Sequence, residues 1–114
     1  MTQTETWRQF NKGESIGERG SESGIIIRDE EHDDGARVTL ERGGYNPFSI
    51  TCGIYGLMVH TAFFASENDA QKAFERMKAE IENILRQIPL ADDSEADAKS
   101  DVVSKAIADL VSKF

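Results

Sequence analysis

The residue types that could do chemistry in this chain are few enough to weigh one at a time. There is one cysteine, Cys52, and there are two histidines, His32 and His60. Cys52 and His60 are the pair that a thiol nucleophile with an imidazole base would need. Their segment reads as two strands joined by Tyr55-Gly56, which pairs Ile54 with Leu57, Cys52 with Val59, Ile50 with Thr61 and Phe48 with Phe63. In that register Cys52 points into the core and His60 to the opposite face. As one continuous strand the two would share a face but lie ~26 Å apart. Neither arrangement makes a dyad, and Cys52 reads as a small buried core residue.

The other cluster of donors is the acidic run Asp29–Gly35. Counted from Glu30, donors fall at Glu30, His32 and Asp34, Gly35 takes position 6 and Glu41 position 12, a spacing shared with helix-flanked calcium loops. The chemistry departs from that pattern. Position 1 is Glu, position 3 is His, and the flanks read as strands. Glu30, His32 and Asp34 are therefore candidate metal ligands on spacing alone, and a solvated turn explains the same residues. No cofactor is expected. One Cys with two distant His cannot make a zinc site. Gly13, Gly17 and Gly20 lack a preceding strand and a GK[ST] sequel, so they make no phosphate loop, and no serine lies in a GxSxG elbow.

His60 has a second reading. Alternation puts it with Met58, Ala62 and Phe64 on the face turned away from the first helix, where Arg37, Thr39 and Thr51 also fall. A half-apolar face carrying a few polar groups suits a partner or a small ligand. Arg37, Thr39, Thr51, Met58, His60 and Phe64 are thus the candidate ligand or interface residues.

The elements that must position these groups follow from periodicity. Residues 1–22 are polar and read as an extended or poorly ordered lead-in, from which Trp7 and Phe10 dock on the core. Ser23–Arg28 (SGIIIR) predicts a strand, Asp29–Gly35 a turn ending in Asp34-Gly35, and Ala36–Arg42 a strand with Val38 and Leu40 on one side. Gly43–Pro47 is a turn, followed by strands at Phe48–Ile54 and Leu57–Phe64. Ser66 caps a helix whose apolar residues recur at Ala70, Phe74, Met77, Ile81, Ile84, Leu85 and Ile88, and Pro89 stops it. An acidic linker at 89–98 leads to a second amphipathic helix at 99–114, with Val103, Ile107, Leu110 and Phe114 as its stripe. The expected fold class is α+β, an antiparallel four-stranded meander followed by two helices, the first packed on the sheet. The core domain is residues 23–88.

Composition bounds the function. Thirteen Lys and Arg against twenty-one Asp and Glu give the 114-residue chain a net charge of −8. Such a surface repels phosphate backbones and anionic membranes, so neither nucleic acid nor membrane is an expected partner. Tyr45–Phe64 is twenty residues without a formal charge, the length of a membrane span, but its Asn, Pro, Thr and paired glycines fit two strands better. A single cysteine and an N-terminus with no apolar signal core point to the cytoplasm. The reading is a small non-catalytic interaction protein, self-associating as a homodimer through the second helix and the second sheet face, or else binding a protein partner. The alternative is a small-ligand or metal-binding module on the His60 face or the Asp29–Asp34 loop.

Overall fold

The computed structural model describes residues 7–87 and 96–114, with 96–102 described as backbone only. Five strands, β1 (Trp7–Gln9), β2 (Ile25–His32), β3 (Ala36–Arg42), β4 (Phe48–Ile54) and β5 (Met58–Phe64), are followed by helices α1 (Glu67–Leu85) and α2 (Ala96–Lys113). The class is α+β. All strand pairs are antiparallel and the sheet order follows the chain, β1-β2-β3-β4-β5. The expected four strands are five. Trp7–Gln9 lies beside the far end of β2, with Trp7 opposite His32 and Gln9 opposite Glu30.

That pairing is possible because β2 is longer than predicted. Asp29–His32, read from sequence as part of a turn, continue the strand, and only Asp33–Gly35 remain as the connection. An acidic run is a poor strand unless each carboxylate is answered. Here each one is. Asp29 meets Arg37, Glu30 meets Arg28 and Lys78, and Glu31 accepts from Tyr55 Oη. Gly35, at φ +106°, closes the turn in a conformation that few residues other than glycine adopt.

One layer of the core lies between the sheet and α1. Ser66 Oγ accepts from the Asp69 amide, and Glu67 and Asp69 place negative charge at the helix N-terminus. The stripe Ala70, Phe74, Met77, Ile81 and Ile84 is buried against Val38, Leu40, Ile50, Cys52 and Ile54. Burial of each large side chain there stabilises by roughly 1.5–3 kcal/mol. Helix α2 packs on α1 in the same chain. Its Val103 and Leu110 join this core, Ala106, Ile107 and Phe114 pack against it, and Lys113 Nζ lies 2.7 Å from Glu80. Residues 89–95 of the expected linker, with Pro89, lie outside the described residues.

The β4–β5 connection is where the structure departs most from the predicted register. Ile54 pairs with Met58, so the loop is Tyr55-Gly56-Leu57, three residues rather than two. Leu57 N donates to Ile54 O at 2.9 Å, and Gly56 takes φ +80°. A two-residue hairpin needs positive φ at its first central position, where Tyr55 would stand. With glycine second, the sequence suits an ordinary turn with positive φ at its third residue instead. One extra loop residue reverses every side chain of the following strand.

Candidate functional site

The two faces of the sheet can be read row by row from the register. On the face under α1, Val38 aligns with Cys52 and His60, Leu40 with Ile50 and Ala62, and Arg42 with Phe48 and Phe64. On the far face, Arg37 aligns with Gly53 and Val59, Thr39 with Thr51 and Thr61, and Glu41 with Ser49 and Phe63. Arg37, Thr39 and Thr51 therefore share the far face, as the alternation implied. Met58, His60 and Phe64 do not join them, because the extra loop residue turns all three toward the helices. Their places on the far face are taken by Val59, Thr61 and Phe63.

The same reversal brings Cys52 and His60 directly opposite one another, contrary to the predicted arrangement. The pair still lacks the properties of a dyad. Burial pushes the Cys52 thiol up to about 11, so the thiolate is scarce at neutral pH. No hydrogen bond joins the two side chains among the described residues, and His60 Nε2 is buried without a partner.

Glu30, His32 and Asp34 are engaged separately. The Glu30 carboxylate lies 2.6 Å from Lys78 Nζ and 2.8 Å from Arg28 Nη2. His32 Nδ1 accepts from the Asp34 amide, and its ring stands edge-on to Trp7 at 5.0 Å. Among the described residues no three His, Cys, Asp or Glu side chains are grouped to hold a metal ion.

What the far face does assemble is a buried polar network under a loop. Residues 10–24 fold back across this face. Gly17 N donates to Ile26 O, Ile26 N donates to Glu18 O, and Arg19 bridges to Ile25, so the loop is stitched to the start of β2. Two carboxylates anchor it from below. Glu41, 1% exposed, accepts from the amides of Glu22 and Gly24, each at 3.0 Å. Asp29, 2% exposed, accepts from Ser15 Oγ at 2.8 Å, Thr39 Oγ1 at 3.0 Å, and Arg37 Nε and Nη2 at 2.9 and 2.7 Å. A side chain at Gly20 would collide with the Glu41 carboxylate, which explains a glycine there.

Arg37 is the central group of this network. Asp29 holds one edge of its guanidinium in a fork, and the Phe10 ring stacks on its plane at 3.6 Å. The hydrogen bonds to Asp29 raise its already high pKa against the desolvation that burial imposes. Trp7 and Phe10, both predicted to dock on the core, thus separate. Trp7 packs on the helix side and donates Nε1–H to Glu82 at 2.7 Å, whereas Phe10 serves the far face.

Beside the loop lies an open groove of about 860 Å³. Arg37, Thr39 and Thr51 line it, and Tyr55, Leu57 and Val59 line its β4–β5 end. That end is apolar and continues into Phe63. Val59 is 77% exposed, and Phe63 and Leu57 are about half exposed. Sequence reading missed Asp29, Ser15 and Phe10 as parts of this site. A signal existed in the period-2 spacing of Arg37, Thr39 and Glu41, which need partners if anything covers them. The stretch that covers them carries no periodicity to announce it.

Compared with protein-family models, with curated proteins and with solved structures, the chain has no match.

Proposed function

We propose that this chain is a small non-catalytic interaction protein that self-associates, with β5 as the contact. The carrying observation is the character of that strand. Among the described residues it is the last strand of the sheet, so every second residue turns its backbone N–H and C=O away from β4 with no further described strand beside it. Edges of this kind are ordinarily blunted by lysine, proline or a bulge. Met58–Phe64 (MVHTAFF) has none of these, its register with β4 is unbroken, and it exposes Val59 and Phe63. The opposite edge, β1, is three residues long and carries Arg8.

Charge favours a second copy as the occupant. The chain carries −8, yet Gly43–Ser66 carries no formal charge. Two copies of so acidic a chain can approach there without bringing carboxylates together. A two-fold axis at Thr61 would set Val59 of one copy opposite Phe63 of the other, twice, an aromatic–β-branched cross-strand pair of the stabilising kind. Helix α2 is not needed for this contact, since Val103 and Leu110 are buried within their own chain.

The test is light scattering across a concentration series, paired with Thr61→Cys under mild oxidation. A two-fold at residue 61 brings the new thiols to disulfide range, and buried Cys52 does not compete. The reading expects a dimer that cross-links through position 61. A chain monomeric at every concentration overturns self-association, and a dimer that fails to cross-link overturns β5 as its contact.

A further inference from the structure

The far-face groove carries a second inference, which shares Val59 with the strand contact proposed above but rests on Arg37 and Thr51. Its volume, about 860 Å³, lies within the range of small-molecule sites, roughly 300–1,000 Å³. The groups along it are unusual for a mere cover. Packing a loop on a sheet is achieved most cheaply with apolar side chains, because a buried ion pair carries a desolvation cost. This chain instead buries Asp29, forks it onto Arg37 and stacks that guanidinium on Phe10. The result is a guanidinium held in one orientation before anything arrives.

Its hydrogen-bonding capacity is only partly used. Asp29 takes Nε and Nη2, while Nη1 has no hydrogen-bond partner among the described residues. Thr51 and Thr61 share one hydrogen bond at 3.1 Å, so the pair retains one hydroxyl hydrogen to donate. The groove therefore offers fixed donors to an acceptor atom. It does not offer net positive charge. Asp29 cancels Arg37, and the remaining charged side chains along it are Glu18, Glu41 and Arg19. A carboxylate ligand would be desolvated with no surplus cation to receive it. A neutral carbonyl oxygen would meet the same donors without that cost. Tyr55, Leu57 and Val59 then supply an apolar wall for whatever the carbonyl is attached to.

We infer that this groove is a binding site for a small, mainly apolar molecule bearing a neutral carbonyl acceptor, such as an acyl amide. Arg37 and Thr51 hold the carbonyl and the β4–β5 hairpin holds the chain.

Three probes of one chain length separate the possibilities: hexanamide, hexanoate and hexylammonium, titrated into the isotope-labelled full chain while backbone amide shifts are followed. Hexanamide should move Thr39, Thr51, Gly53 and Tyr55–Val59 together, and hexanoate should bind about ten-fold more weakly, the equivalent of ~1.4 kcal/mol. Thr51→Val, which keeps the side-chain shape, should weaken hexanamide several-fold and leave the spectrum of the free protein otherwise in place. The inference is overturned if hexanoate or hexylammonium binds as well as the amide, if the shifts map away from the groove, or if hexanamide moves nothing up to its solubility.

Discussion

The two faces of this one sheet are held by different physics. Under α1 the contacts are apolar and non-directional, with Val38, Leu40, Ile50 and Cys52 fully buried against Phe74, Met77 and Ile81. Polar groups on this face include the Arg28 guanidinium, 4.0 Å over the Phe74 ring, Lys78, which reaches Glu30, and His60, whose Nε2 is buried. On the far face the covering loop contributes few apolar contacts and is fixed by named hydrogen bonds, to Asp29 from Ser15 and to Glu41 from the amides of Glu22 and Gly24. The first arrangement tolerates exchange of one hydrophobe for another of similar volume. The second depends on particular atoms and leaves a groove where they stop. The apolar core lies on one face, and the open groove lies on the other.

The strongest way to break the comparison is to put far-face chemistry into the helix face. Phe74→Asp places an unpaired charge at a fully buried position, a cost of several kcal/mol beyond the lost burial, against a total stability of about 5–15 kcal/mol. Far-ultraviolet circular dichroism at 25 °C should show an unfolded chain, whereas Phe74→Leu should remain folded. The next largest effect comes from removing the far-face anchor. Asp29→Ala strands Arg37, Ser15 and Thr39 together and should cost about 2–3 kcal/mol in urea unfolding, less than a full buried pair because Arg37 is one-third exposed. The double variant Asp29→Ala/Arg37→Met should recover part of that loss, since no charge is then left unpaired. Additive losses in the double variant would show that the two residues do not act as a unit.

Much of the helix face was legible in the sequence and much of the far face was not, for the same reason. Burial of apolar side chains imprints a period on the chain. Val38 and Leu40 announce a strand face, and the recurrence from Ala70 to Leu85 announces α1 together with its Ser66 cap. Directional networks leave no period. Ser15 and Asp29 are fourteen residues apart and are joined by a loop whose course no propensity fixes. The acidic run Asp29–His32 read as a turn because its partners, Arg37, Arg28 and Lys78, become visible only once the sheet and α1 are assembled. The face of His60 turned on a single loop residue. Tyr55-Gly56 has the order that an ordinary turn prefers, with glycine second, and counting Leu57 into that turn rather than the strand would have placed His60 under the helices.

Cys52 places a titratable group among the fully buried residues of the helix face. Its thiol titrates near 11 in the folded chain against an ordinary value near 9, because burial disfavours the thiolate. The folded state must keep the proton that the unfolded chain releases more readily. The contribution is therefore complete below about pH 9 and is lost as pH rises toward 11, at ~1.4 kcal/mol per pH unit. Tyrosines and lysines titrate in the same window, so the readout is a difference. Stability measured against pH for the native chain and for Cys52→Ala should run parallel up to pH 9 and converge above it. Curves that stay parallel to pH 11 would mean that the thiol reaches solvent and that Cys52 is not buried in the folded chain.

The smallest expected effect on stability is also the one that tests the far face most sharply. Val59 projects from β5 with 77% of its surface exposed, so Val59→Asp removes almost no buried area and should change the unfolding free energy by no more than about 0.5 kcal/mol. A core position could not accept that substitution. The same change puts a carboxylate into the uncharged strand and, with a two-fold at Thr61, buries it against Phe63 of a second copy. If the native chain dimerises as proposed, light scattering should then find monomer at the same concentrations, while thermal melts extrapolated to low concentration coincide. If Val59→Asp lowers stability by several kcal/mol, Val59 belongs to a packed surface and the distinction between the two faces fails at β5. If stability is unchanged and association is unchanged as well, the exposed strand is not where copies meet, and Val59 has no part in self-association.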